Sequence, residues 1–187
     1  IAEQGRFYLG VTHERMGKPG EAVKLIAPMV GRTIDPKDTA LLLRSLASAY
    51  EKDARVADAI ITLQKLSEEN VPEDDRNAAR EHLAQLAARK ASPADVRRLF
   101  DELDRESYAW RQIALRATRD ADAARDHERA RELLEALQDE DVPFDDELAA
   151  IAMRTERPSD ANPAAIGAIL SLSGRARRVG EVSLRGL

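Results

Sequence analysis

Three histidines, two acidic pairs and a short run of arginines are the groups through which this chain could do chemistry. His13, His82 and His127 stand far apart, and none belongs to an H-E-x-x-H arrangement that would put two imidazoles on one helix face toward a metal. They read as surface or groove histidines. Asp74-Asp75 and Asp145-Asp146 could suggest paired carboxylates, but each pair follows a Val-Pro step and opens a helix. Compensation of the helix macrodipole is the simpler task for an acid there. Arg175, Arg177 and Arg178 form a basic cluster that reads as a solvated helix face. Gly174 and Gly180 are not followed by G-K-[ST], so they make no phosphate loop, and there is no G-x-S-x-G. With no cysteine there is no thiol nucleophile, disulfide or Cys-ligated metal. The sequence therefore points away from an enzyme, with no catalytic residue, no metal site and no cofactor expected.

The composition fits that direction. Hydrophobic residues are 43% of the 187, charged residues 34% and aromatics only 4%. Such a chain can bury a core of alanine and leucine in close helix-on-helix packing, whereas an all-β core would draw on more Val, Ile, Tyr and Phe. The net charge of −5 gives nucleic-acid binding no electrostatic support. No apolar run approaches the length of a membrane span. The chain opens at Ile1, without Met, and already reads as helix. That is the form of a processed fragment, with any signal peptide or lipid anchor lying upstream.

The elements repeat. Ala22 precedes Ile26 by four places, as Ala59 precedes Leu63, Val96 precedes Phe100 and Ala130 precedes Leu134. The first members are 37, 37 and 34 residues apart. A period of that size with two helical patterns per unit is the signature of a tetratricopeptide-like solenoid. The first unit has a helix over 3–16 (Phe7, Leu9, Val11 apolar), a tight turn at Gly17-Lys18-Pro19-Gly20, and a second helix over 21–31. The buried stripe of that second helix is Ala22, Val23, Leu25, Ile26 and Met29. Leu9-Gly10, Gly17 and Ala22 fall where such a repeat places its close-packing residues. In the second unit Asp35 is an N-cap and Pro36 an N1 proline; helices follow over 37–51 and 55–69. The third has helices over 74–89 and from Pro93, after the cap signal Ser92-Pro93-Ala94-Asp95. The fourth has helices over 106–123 and 126–139. Val142-Pro143-Phe144-Asp145-Asp146 then echoes Val71-Pro72-Glu73-Asp74-Asp75 at a separation of 71, and Leu134 and Leu137 echo Leu63 and Leu66 at the same separation. A short helix over 145–154 closes the array. The fold expected is all-α: a right-handed solenoid of about four helix pairs over 1–156.

Residues 157–164, with Pro158 and Pro163 among polar turn formers, read as a linker. Beyond it the period changes: Ala165 to Leu172 is a near-continuous apolar run with the form of a buried parallel strand. Residues 175–187 read as the start of a helix, which makes 165–187 a βα fragment. A lone strand and helix cannot bury their own apolar face, so this fragment is expected to pack on the solenoid end or a neighbouring chain.

The string from Ile166 to Gly174, then Val179-Gly180-Glu181 and Leu184-Arg185-Gly186, resembles the opening of a type 1 periplasmic-binding domain. Ser171 stands where that family usually has proline. Helical repeats joined to such a domain resemble the bacterial lipoproteins that activate penicillin-binding proteins, and their relatives among branched-chain amino-acid-binding proteins. The resemblance implies a periplasmic lipoprotein, held in the outer membrane through an upstream lipid anchor, with a bifunctional penicillin-binding protein as partner. It implies a non-catalytic interaction or spacer domain that supports activation of a peptidoglycan synthase. The alternative it leaves open is the repeat domain of a solute-binding protein for ABC transport. Ser173 and Gly174 match the loop that borders the ligand cleft in that family; the domain here would be incomplete.

If the repeats bind a partner, the first helix of each pair lines the concave face. Outward positions there include Arg44, Ser48, Glu81, Gln85, Gln112 and Arg119. They mix both signs, which fits a protein surface better than a clamp for one carboxylate.

Overall fold

A computed structural model of the protein describes residues 2–32 and 35–156. Nine α-helices follow one another among the described residues, and no strand occurs there. They are α1 (Ala2–Arg15), α2 (Pro19–Ile26, prolonged by a 3-10 turn over Ala27–Met29), α3 (Pro36–Lys52), α4 (Val56–Glu68) and α5 (Glu73–Arg89), then α6 (Pro93–Glu102), α7 (Tyr108–Ala123), α8 (His127–Asp139) and α9 (Asp146–Glu156). The linker expected over 157–164 and the βα fragment expected over 165–187 lie outside the described residues.

The helices begin where their residues provide caps. Asp35 accepts hydrogen bonds from the backbone N–H of Lys37 (2.8 Å) and Asp38 (3.2 Å). Ser92 and Asp95 form a reciprocal capping box: the Asp95 N–H donates to Ser92 Oγ (3.2 Å) and the Ser92 N–H to Asp95 Oδ2 (3.0 Å). Ser107 Oγ accepts from the Trp110 N–H at 3.1 Å, and this cap starts α7 two residues later than the expected 106. Gln64, buried on α4, reaches the same helix end: its Oε1 accepts the Ala109 N–H at 2.8 Å. One orphan donor of α7 is thus satisfied by a side chain 45 residues away.

Helix ends recur at matching spacings as well. Gly17, Ala54 and Arg125 adopt φ of 71°, 57° and 59°, at separations of 37 and 71 residues. Each is followed by the closing bond of a Schellman turn. Lys18 N–H donates to His13 O, Arg55 N–H to Tyr50 O and Asp126 N–H to Ala121 O, all at 2.9 Å. The second helix expected over 21–31 is shorter than that. Pro28 has no N–H for the carbonyl four residues back, and the chain tightens into the 3-10 turn at Ala27.

The small residues sit where helices approach. A Cβ added to Gly10 would lie 2.5 Å from Ile26 Cγ1 and 3.2 Å from Leu25 Cβ. Ala22 is fully buried, as are Ala59 and Ala130 at the equivalent positions. Their large partners Ile26, Leu63 and Leu134 are buried too, and Phe100 is half-buried. Helix α1 packs on α2 and α3, α3 on α4, α4 on α5, α5 on α7, and α7 on α8. Leu148 and Ile151 of α9 complete a cluster with Ala130, Leu133 and Leu134. Leu9 is the exception among the expected apolar positions. It is 49% exposed, although Leu46 and Leu83, which stand 37 and 74 residues further on, are 3% and 0% exposed. Those two lie on helices that have α2 and α4 against them in addition to their other neighbours.

Two substitutions separate close approach from backbone strain. Gly10→Ala is expected to cost about 1–3 kcal/mol through overpacking against Ile26, despite alanine's better helix propensity. Ala54→Gly is expected to be neutral to stabilising by up to about 1 kcal/mol, because it relieves a left-handed non-glycine residue. Urea unfolding of the two variants checks both signs.

Candidate partner-binding face

A recurring acid ties α1 to α3, α3 to the C-cap of α5, and α7 to α9. Glu14, Glu51 and Asp122 stand eight residues before Ala22, Ala59 and Ala130, so they hold one repeat position near the C-terminal ends of α1, α3 and α7. A carboxylate there opposes the negative end of its own helix dipole. In each case the next odd-numbered helix or its C-cap brings a cation. Lys52 Nζ lies 2.5 Å from Glu14 Oε1, Lys90 Nζ 2.6 Å from Glu51 Oε1, and Arg154 Nη2 2.7 Å from Asp122 Oδ2. Ser48 Oγ adds a 2.6 Å bond to Glu14, and His82 Nε2 lies 2.9 Å from Glu51 Oε2. The third unit has Ala88 at this position. There Arg116 of α7 donates instead to the Ala88 carbonyl and, at 3.5 Å, to that of Ala87, and its Nε holds Asp120 at 2.8 Å.

Burial raises the pKa of both Glu14 and Glu51, but their partners outweigh it. Hydrogen bonds from Lys52 and Ser48, with the charges of Lys52 and Arg15, hold Glu14 below its ordinary value. Lys90 and His82 do the same for Glu51. The acid ends of these pairs are shielded and the cation ends remain in water, so each pair is worth no more than about 1 kcal/mol. Their effect on the array is registration of neighbouring helices rather than bulk stability.

This arrangement relocates several of the residues expected on an open groove. Arg44 is exposed, but its Nη1 holds Asp75 Oδ1 of α5 at 2.9 Å. Ser48 is half-buried between α1 and α3 rather than outward. Arg119 is half-buried and engages α9, with Nε 2.8 Å from Glu147 Oε2 and Nη2 3.3 Å from Asp145 Oδ2. Glu81 and Gln85 are exposed and in long contact with each other (3.4 Å), and Gln112 is half-buried. Ser173 and Gly174 lie outside the described residues. Asp145 Oδ1 accepts the Leu148 N–H at 2.8 Å, a capping role at the start of α9. Among the described residues no group of three or more His, Asp or Glu could hold a metal.

A feature that the sequence analysis did not find is a cleft of about 520 Å³ between α6 and α8. Its floor is Val96, Phe100, Ala117, Ala121 and Leu133, and Arg97, Asp101 and Arg129 border it. The Arg129 guanidinium lies 5.3 Å from the Phe100 ring centroid. The acid row had a readable signal in the spacing of Glu14, Glu51 and Asp122. The cleft had none, because it depends on how far apart two non-consecutive helices lie.

No protein-family model matches the chain, and no curated protein or solved structure is significantly similar to it. No helix among the described residues is long and apolar enough to cross a membrane.

The lowered carboxylates set an acid dependence. The unfolded chain takes up protons on Glu14 and Glu51 at a higher pH than the folded chain does. Their contribution is therefore complete above the ordinary value of 4.5 and lost as pH falls through the depressed folded values. The double variant Glu14→Gln/Glu51→Gln is expected to be less stable at about pH 7, with a smaller further loss on going to about pH 3. Thermal melts across that range check it; parallel curves for the two proteins would remove these residues from the acid response.

Proposed function

We propose that residues 2–156 form a tetratricopeptide-like right-handed solenoid of about four helix pairs closed by α9. Its function is that of a non-catalytic interaction or spacer domain in a periplasmic, outer-membrane-anchored lipoprotein that supports activation of a peptidoglycan synthase. The observation that carries the repeat-domain reading is the row of ionic ties. Glu14, Glu51 and Asp122 recur with the period of the small-residue crossings, and each takes its cation from the following unit. Such ties favour one relative placement of neighbouring units, which suits an element that must present a surface or hold a distance. The cellular setting rests on the resemblance in residues 166–186.

The groove offers a partner little concentrated charge. Arg44 and Arg119 already hold carboxylates of the next odd-numbered helix, which favours an extended, mostly neutral protein contact over capture of one anionic terminus. Glu81, Gln85 and Gln112 are the positions left to meet a partner. Reversal of Arg44 or Arg119 would cut the ties between helices and is the wrong probe.

The test is calorimetry of this chain against the bifunctional penicillin-binding proteins of the same organism at physiological salt. Saturable binding, micromolar or tighter and weakened at least about tenfold by Gln85→Glu/Gln112→Glu, is the result expected of a groove contact. Binding only by a longer form of the protein that includes the complete second domain makes the repeats a spacer. Absence of binding by both forms, with amino-acid capture by the longer one, would replace this reading with the transport alternative.

A further inference from the structure

One guanidinium is partly buried without a partner. Arg111, at the start of α7, is half-buried, and its Nε is buried with no hydrogen-bond acceptor among the described residues. A charged donor left unmet costs a fold more than a neutral one. An acceptor brought from outside removes that cost. Arg111 lines a cavity of about 350 Å³ that Arg80 of α5 and Tyr108 of α7 also line.

The rest of the lining is Gln64, Ser67 and Glu68 at the end of α4, with Glu106 and Ser107 before α7. Most of these groups are already committed. Gln64 gives its amide N–H to Glu68 and accepts the Ala109 N–H. Ser67 Oγ donates to the Gln64 carbonyl at 2.8 Å, and Ser107 Oγ donates to the Asp104 carbonyl at 2.6 Å while capping α7. The side chains left over are Arg80, Arg111, Tyr108 and Glu106. None of the four forms a hydrogen bond or ion pair with a described residue. Glu106 is exposed and stays in water. Two guanidinium groups and a phenol therefore remain at the cavity as unused donors.

Unused guanidinium forks call for an oxyanion. Arg80 and Arg111 come from different helices, and Tyr108 adds a third donor. A phosphoryl group has three terminal oxygens in a tetrahedral array and can take donors from all three side chains. The volume of about 350 Å³ lies near the lower end of small-molecule sites, roughly 300–1,000 Å³. That is room for a small ligand rather than a folded partner. We propose that this cavity binds the phosphoryl group of a small soluble phosphomonoester, with Arg111 and Arg80 as its main contacts and the Tyr108 hydroxyl as the third donor. Two arginines against Glu68 and Glu106 leave the lining with no net formal charge, so directed hydrogen bonds hold the ligand and affinity is modest. The site is independent of whether the repeats meet a partner or hold a distance.

The experiment titrates the whole chain with inorganic phosphate and with methyl phosphate, against chloride at matched ionic strength. Thermal melting and phosphorus NMR line widths report binding. The expected result is a saturable rise in melting temperature beyond that in chloride, with a dissociation constant on the order of 1 mM for either probe. Arg80→Gln and Arg111→Gln are each expected to weaken binding at least about tenfold. Arg89→Gln, on an exposed arginine of α5 outside the cavity, leaves it unchanged. Arg80 is exposed, so its variant keeps the test open if Arg111→Gln folds poorly. In phosphate-free buffer Arg111→Gln is expected to melt no lower than the unaltered chain, because it removes a charge that has no partner. Melting that follows ionic strength alone, without phosphorus line broadening, overturns the proposal. Binding that both cavity variants leave intact overturns it too, as does inorganic phosphate binding with methyl phosphate excluded. An Arg111→Gln deficit of equal size with and without phosphate makes that residue structural and overturns its assigned role.

Discussion

The fold depends on two helices being able to cross with almost nothing between them. Gly10 meets Ile26 where α1 and α2 approach, and Ala22, Ala59 and Ala130 have no exposed surface on α2, α4 and α8. A larger residue at such a point pushes the axes apart and opens voids along both helices, because interiors are packed to the density of organic crystals. Most of the other regularities fall into step with this one. The left-handed residues Gly17, Ala54 and Arg125 return the chain at the right place for its partner helix to cross. The large residue four positions after each small one fills the space beside the crossing.

The ionic row is a consequence of that regularity. At the C-terminal ends of α1, α3 and α7 each helix presents the negative end of its dipole. An acid there is unfavourable by itself, and it is tolerated at Glu14, Glu51 and Asp122 because Lys52, Lys90 and Arg154 stand beside them. The arginines at 44 and 119 follow the same logic from the other end. Each takes an acid in the first turn of the next odd-numbered helix, Asp75 or Glu147, where a carboxylate is favoured. Charges that look available for a partner are in large part committed to neighbouring units.

Much of this was legible in the residues alone. Asp35, Ser92 and the prolines after them mark helix starts through local chemistry, and the structure has α3 and α6 beginning there. The small-large pattern picked out residues that the structure buries, Ala22, Ala59 and Ala130 with Ile26, Leu63 and Leu134. Legibility ended where an outcome depended on what stands across a gap. Periodicity puts Arg44, Ser48 and Arg119 on one side of their helices but says nothing of Asp75, Glu14 and Glu147 opposite them. Leu9 matches Leu46 and Leu83 in pattern, yet its burial would have to come from a unit that does not precede it among the described residues. The cleft beside Phe100 is set by the distance between α6 and α8, which no local pattern encodes.

Ala88 gives the array a seam unlike its others. At the junctions of α1 with α3, α3 with α5 and α7 with α9, the tie joins a cation to a side-chain carboxylate. Between α5 and α7 the acceptors are the peptide carbonyls of Ala87 and Ala88. Considered as a beam built from blocks, the protein has three fasteners whose acid a single side-chain replacement removes, and one, at the α5–α7 joint, whose acceptors belong to the backbone and stay whatever residue stands there.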